Sequence, residues 1–370
     1  MRSNKARIAV AGSGKTELIV QKYRYQAKRT LFVTFTTNGQ DELRSRLRSA
    51  NPSAAFEVTG WFTFLAEHFL KPFMYDFSQG RRYSGLAFDW RPAQRASGDA
   101  RYFNVNDEVS SHKIAYVARK IAEENGQQPI HRLERIYERI VFDEAQDLVA
   151  SDLVILEMLL KSNLDVFMVG DIRQTVFETN TADTKYKEYR KLDKLDWFKK
   201  MAKDGILELD YDFQNRRCHE DIVSISNAVF RQSLGFENAE GMKRANEHHH
   251  SGVFRVSESE LEAYCKDFKP QGLRYNKTSW KQWENKIRVN NFGEVKGLAF
   301  DHAVIFPTPA IRDFLLKDEP LSSDETAAKL YVAITRARHS VCFVLPPGAE
   351  CGEKLPVKLK EWKSSSNGVV

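Results

Sequence analysis

Two short clusters in this 370-residue chain place charged side chains where they could act on a phosphate. The first is Ala9-Val10-Ala11-Gly12-Ser13-Gly14-Lys15-Thr16, which follows an apolar run and precedes the helix-forming Glu17-Leu18-Ile19-Val20-Gln21-Lys22. A strand, a glycine loop and a helix in that order make a phosphate cradle. Gly12 and Gly14 let backbone N–H groups turn toward phosphate oxygens, with Ala11 and Ser13 completing the loop. Lys15 adds a point charge at the β and γ phosphates, and Thr16 offers a hydroxyl to Mg²⁺. The ligands implied are ATP and Mg²⁺. A chance glycine turn between strand and helix is the alternative.

The second cluster is Ile140-Val141-Phe142-Asp143-Glu144-Ala145-Gln146-Asp147, an apolar strand ending in three acids. Such a strand delivers Asp143 to the C-terminal edge of a sheet, where phosphate-bound Mg²⁺ would sit. Glu144 could then orient and deprotonate an attacking water. A solvated acidic loop, or a helix start capped by Asp147, is the competing reading. A third strand, Val166 to Val169, runs into Gly170-Asp171-Ile172-Arg173-Gln174, and Gln174 could sense the γ-phosphate or the attacking water. By itself that last element is ordinary turn chemistry.

The elements that must position these groups are short apolar runs alternating with helix-period stretches. Strands are expected at Arg7 to Val10, Leu31 to Phe35, Phe56 to Val58, Ile140 to Phe142, Val166 to Val169 and Ile206 to Leu209. A second set is expected at Val253 to Val256, Ile287 to Val289, His302 to Phe306 and Val341 to Leu345. The pattern predicts an α/β fold with parallel sheets. The length predicts two domains. Two stretches break the alternation and read as insertions or surface loops: Asp76 to Asp107, and Gly235 to Ser251 with its Glu247-His248-His249-His250 run. The tail after Trp362 is expected to fray. A hydrophobic content of 42% excludes a disordered chain, and the formal net charge of +6 fits a nucleic-acid partner without requiring one. Cys218, Cys265, Cys342 and Cys351 show no metal-ligand spacing, and no apolar stretch is long enough to span a membrane, so the expectation is a cytoplasmic protein.

In order along the chain these pieces resemble the motifs of superfamily 1 helicases of the UvrD, Rep and PcrA group. Ala9 to Thr16 resembles motif I, Val33-Thr34-Phe35-Thr36-Thr37-Asn38 motif Ia, and Thr59-Gly60-Trp61-Phe62-Thr63-Phe64 motif Ib. Asp143 to Asp147 is similar to motif II, Gly170 to Gln174 to motif III, and Phe213-Gln214-Asn215-Arg216-Arg217-Cys218 to motif IV. Lys296-Gly297-Leu298-Ala299-Phe300-Asp301 resembles motif V and Tyr331-Val332-Ala333-Ile334-Thr335-Arg336-Ala337-Arg338 motif VI. The resemblance implies two RecA-like P-loop NTPase domains with minimal insertions: residues 1–205, with a short insertion at about 76–125, and residues 206–350, with a reduced insertion at about 235–280. Residues 351–370 would form a flexible tail. It also implies ATP hydrolysis at a cleft between the two domains, coupled to movement along single-stranded DNA or a 3′-tailed duplex. Arg217 and Arg336 would then reach the γ-phosphate, ordinary surface basic residues being the alternative, while Thr34, Thr36, Thr59, Trp61 and Phe64 would face the strand, with a core helix face as the alternative for Trp61 and Phe64.

The chain also departs from that pattern. No glutamine element precedes Ala9 to read adenine, and Arg216 stands where a tyrosine usually stacks on the base. Ala299 replaces a glutamate, Gly293 a histidine and Thr179 a tryptophan. Only residues 65–139 and 219–295 are available for accessory subdomains. Weak unwinding is therefore expected. The alternative is a regulatory ATPase similar to the compact helicase-like partners of OLD-family nucleases in anti-phage loci such as Gabija.

Overall fold

The computed structural model describes residues 4–25, 28–54, 56–93, 95–176, 183–230, 237–241 and 249–364. Thr179, Glu247, His248 and the tail from Ser365 onward lie outside the described residues. The chain divides into two units. One comprises residues 1–8, 15–172 and 177–211; the other comprises 9–14, 173–176 and 212–370.

In the first unit the strands are β1 (Lys5–Ala9), β2 (Thr30–Thr34), β3 (Glu57–Gly60), β4 (Gly85–Ala87), β5 (Glu108–Ser110), β6 (Arg139–Phe142), β7 (Asp165–Gly170) and β8 (Glu208–Asp212). Six of them form one sheet in the order β3-β2-β6-β7-β1-β8. The pairs β2/β3, β2/β6, β6/β7 and β1/β7 run parallel. Strands of this kind are apolar on both faces because helices cover both. Thus Ile140, Val141 and Phe142 are all buried, and Val141 packs with Phe32, Phe167, Ile19 and Leu43 in one core. The edge strand β8 is tied to β1 by Lys5 on Glu208 at 2.7 Å and by Arg7 on Asp210.

In the second unit the strands are β9 (Gln214–Asn215), β10 (Glu240–Gly241), β11 (Gly252–Val256), β12 (Gln271–Arg274), β13 (Val289–Asn291), β14 (Phe300–Phe306), β15 (Ala337–Val344) and β16 (Lys360–Glu361). The main sheet is ordered β13-β12-β14-β15-β11-β16, and each adjacent pair is parallel. Two parallel sheets flanked by helices are the expected tandem RecA-like α/β architecture. Strand β12 was not legible as an apolar run, and the run expected at Ile287 to Val289 pairs instead as Val289–Asn291.

Two expectations change at the level of side chains. The Asp76 to Asp107 stretch is partly ordered by pairing, since β4 lies parallel to β5. His250 is not on an exposed polar loop. It is 9% exposed, stacked between Phe254 at 3.9 Å and Phe268 at 3.7 Å, with Nε2 2.9 Å from the Tyr264 hydroxyl. Burial first, then His302 and Lys360, push its pKa down to about 4. Two aromatic faces and one hydroxyl repay the desolvation of a neutral imidazole, not of an imidazolium.

Among the described residues, no helix is long and apolar enough to cross a membrane.

Because the folded state disfavours the charged form of His250, its contribution to stability is complete above the unfolded histidine pKa of about 6.5 and is lost as pH falls from there toward about 4. Urea melts across that window should therefore show a falling midpoint in the wild type and a shallower fall in His250→Phe.

Candidate nucleotide site and strand-facing surface

In the first unit, β1 and β6 are separated in the sheet by β7, and both run toward the same edge. Helix Lys15–Tyr23 follows β1 and places Thr16 with its hydroxyl 3.2 Å from Asp143 Oδ2 at the end of β6. Burial pushes the Asp143 pKa up to about 7; Glu144 adds to this, and Lys15 opposes it. The Glu144 N–H donates to Asp143 Oδ1 at 2.9 Å. A hydroxyl beside a desolvated carboxylate is a hard oxygen donor set of the kind Mg²⁺ takes. Sequence reasoning had assigned both residues to that metal.

Glu144 sits at φ 59°, a left-handed conformation that turns the chain sharply after the strand. The turn is held by Gln146, which is fully buried. Its Nε2 donates to Glu144 Oε2, and its Oε1 accepts the Asp171 N–H at 2.9 Å. The backbone carbonyl of Gln146 in turn accepts from the ammonium of Lys194, a lysine 0% exposed in helix Lys194–Lys203. Lysines are almost never fully buried unless paired, so Lys194 marks a structural role in the acidic loop. Its neighbours in sequence are an ordinary amphipathic helix, and nothing in that pattern signals the role. Gly170 at the end of β7 permits the approach, because a Cβ there would lie 2.6 Å from Gln146 Oε1.

The remaining loop residues belong to the second unit. Gly12 and Gly14 have φ of 72° and 88°, and a Cβ on Gly12 would meet Asn215 Oδ1 at 2.7 Å and Arg217 Cβ at 2.8 Å. Asn215 Nδ2 donates to the Ala11 carbonyl at 2.8 Å, the Ala11 N–H donates to the Tyr331 hydroxyl at 3.1 Å, and Arg216 Nη1 donates to the Ser13 carbonyl. Ser13 Oγ is buried and without a hydrogen-bond partner among the described residues. An orphaned hydroxyl inside a glycine loop fits a phosphate ligand, since a buried polar atom costs stability until it is satisfied.

Gln174 and Arg336 meet directly, with Arg336 Nη2 donating to Gln174 Oε1 at 3.2 Å. Arg336 is buried and also donates to the carbonyls of Val332 and Leu298, which fixes its guanidinium plane. Arg217 Nη1 reaches the carbonyl of Thr335 at 3.4 Å, so both arginines converge on the end of helix Asp324–Ile334. Arg173, which sequence reasoning passed over, is buried against Tyr331 and donates to Asn227 Oδ1 and the Glu237 carbonyl. Tyr331 was also missed as a loop contact, although it lies within the motif that flagged Arg336.

The expected strand-facing residues separate. Trp61 is 1% and Phe64 0% exposed. Their rings stack at 5.3 Å, Phe142 packs edge-on to both, and Trp61 Nε1 donates to Asp152 Oδ1 at 2.8 Å. These faces are core, not platforms, which is the alternative that the sequence left open for both. Thr34 is buried as well. Thr36 is exposed, but its hydroxyl accepts the Gly39 N–H and caps helix Thr37–Ala50; Thr59 is half-buried. The partly exposed rings near them are Phe35 and Phe62, centroids 6.3 Å apart, continued by Phe88 at 6.2 Å from Phe62.

Residues 100–194 match the UvrD/REP helicase N-terminal domain. The chain is 29% identical over 195 residues to an ATP-dependent helicase/nuclease subunit of Lactococcus lactis subsp. lactis, a match covering 50% of this chain and 15% of that protein. Among solved structures, an arterivirus nonstructural protein 10 (helicase) is 12% identical, with a TM-score of 0.46 over 93% of this chain and 60% of that one. A PRRSV helicase is 14% identical, with a TM-score of 0.44 over 93% and 52%. The likeness to a UvrD/REP helicase N-terminal domain thus falls on the part of the first unit that contains β6 and β7.

Gly170→Ala should cost about 1–3 kcal/mol in a denaturant melt, as inserted methyls do in packed sites. Adding Gln146→Ala to the same chain should recover part of that loss, and two additive losses would show that Gln146 is not what the methyl meets.

Proposed function

We propose that this chain, built around a UvrD/Rep-like superfamily 1 helicase domain, is an ATP-hydrolysing motor that moves along single-stranded DNA. The observation that carries the reading is the Thr16 hydroxyl 3.2 Å from the desolvated Asp143 carboxylate, immediately after a glycine loop containing an unsatisfied Ser13 hydroxyl. When bound, MgATP supplies the phosphoryl group and the metal charge. Ala11 to Gly14 would offer backbone donors to its phosphates, Lys15 would add positive charge at the β and γ positions, and Thr16 and Asp143 would hold the metal. Glu144 orients and deprotonates water, and the Gln146 clamp sets its direction. Gln174, Arg217 and Arg336, grouped in the second unit, are the side chains suited to charge that builds on a phosphoryl in transfer, a guanidinium because it presents a fixed fork of donors. Arg216 offers a planar group for the base.

The strand-facing side is assigned to Thr36 and Thr59 with the partly exposed Phe35 and Phe62 and the exposed Phe88. Hydroxyls and amides can hold phosphates, and ring faces can stack on bases without reading sequence.

A second reading rests on the description of the Lactococcus relative as part of a helicase/nuclease. Here the chain is an ATPase that serves a partner nuclease, such as an OLD-family enzyme in phage defence, with little unwinding of its own. Unaided unwinding of a 3′-tailed duplex by the purified monomer would sink that version.

For the leading reading, steady-state ATP turnover should rise severalfold with single-stranded DNA and fall by at least about 10³ in Lys15→Ala, Glu144→Gln and Arg336→Ala, the scale of losing a charge-stabilising group in phosphoryl transfer. Turnover indifferent to single-stranded DNA would end the motor reading while leaving an ATPase.

A further inference from the structure

The first unit carries a groove of about 670 Å³, lined among others by Arg91, Arg101, Tyr102, His112, Lys113, Tyr116 and Asp183. That size is typical of a site that holds a small ligand or a nucleotide unit. Its charge is lopsided. Nearby cations with a structural task are paired: Arg81 holds Asp99 and Asp107, and Arg119 holds Glu123. Among the described residues, no ion pair neutralises Arg91, Arg101 or Lys113. The lining acid Asp183 is already engaged, accepting from the Ser151 hydroxyl and from the Lys185 N–H at 3.0 Å.

Aromatic faces accompany the charge. Tyr102 stacks on Tyr116 with centroids 5.8 Å apart and planes 25° from parallel, and the Lys113 ammonium lies 5.6 Å from the Tyr116 centroid. The groove also continues a surface. Phe88, the last ring of the Phe35, Phe62, Phe88 series, is three residues from Arg91, within about 11 Å of it even if the chain is fully extended.

We propose that this groove is a second binding site for single-stranded nucleic acid, with Arg91, Arg101 and Lys113 taking phosphates and the Tyr102–Tyr116 pair taking a base. It rests on the motor reading and extends the strand path from the Phe35 region into the 85–116 segment. Unpaired cations interleaved with ring faces are what sequence-independent strand binding needs. An acidic peptide would use the charges and leave the rings idle.

The test is fluorescence anisotropy of a labelled oligothymidylate against wild type, the triple variant Arg91→Ala/Arg101→Ala/Lys113→Gln, and Tyr102→Leu, across a salt series. The triple variant should bind about tenfold or more weakly, with the slope of log affinity against log salt shallower by up to about 2, the value for three lost phosphate contacts on a single strand. Tyr102→Leu should weaken binding severalfold with the slope retained, the signature of lost stacking. If Tyr102→Leu fails to fold, Arg101→Glu alone, an exposed change, reads the same slope. Wild-type affinity and slope in the charge variants would overturn the groove and leave the motor reading intact. A wild type that binds no strand would remove both. Displacement by polyglutamate as effective as by unlabelled oligonucleotide would reassign the groove to an acidic protein segment.

Discussion

A carboxylate at the end of a strand covered on both faces is the constraint on which the first unit depends. Asp143 sits there because β6 is apolar and central, flanked by β2 and β7, and the same burial that makes the strand stable makes the charge costly. Three contacts of Asp143 offset that cost, while the Glu144 carboxylate adds to it. The Thr16 hydroxyl and the Glu144 N–H point at the carboxylate, and Lys15 supplies opposite charge. One turn further on, Gln146 binds three partners at once, the side chain of Glu144, the amide of Asp171 and the ammonium of Lys194. The acidic loop is thereby built from both sides, by β7 and by the helix that carries Lys194.

The second unit meets a related constraint with guanidinium groups. Arg336 and Arg173 are buried, and five groups receive their donors: the carbonyls of Glu237, Leu298 and Val332 and the amide oxygens of Asn227 and Gln174. The result is that Gln174, Arg336, Arg217, Tyr331 and the Ala11 to Gly14 loop share one framework.

Polar residues also explain the strand that was not foreseen. Gln271-Gly272-Leu273-Arg274 has one aliphatic side chain, yet β12 lies between β13 and β14 and all four residues are buried. Gln271 is satisfied by the Arg288 carbonyl at 2.7 Å, and Arg274 by Asn291 and Glu284. Those partners are 10 to 17 residues away, so no local pattern announces the strand. Gly272 has no room for a side chain, since a Cβ would lie 2.9 Å from Ile287. His250 was misread for the same reason: its run looks polar, and the rings that bury it come from Phe254 and Phe268.

The sequence by itself determined the two parallel sheets and marked the glycine loop and the acid-ended strand as the candidates for phosphate and metal. An apolar strand, a glycine loop and a run of acids each report their chemistry within a few positions. Only tertiary structure decided which faces are available. Trp61 and Phe64 lie within two positions of Phe62, yet they enter the core against Phe142 while Phe62 stays partly exposed beside Phe35. One-residue steps on a short helix turn side chains about 100°, so burial is set by what packs above them. It likewise decided that a lysine in an unremarkable amphipathic helix would end fully buried beneath the acidic loop. A partner 48 residues away in the chain leaves no periodic trace, and only folding brings the two together.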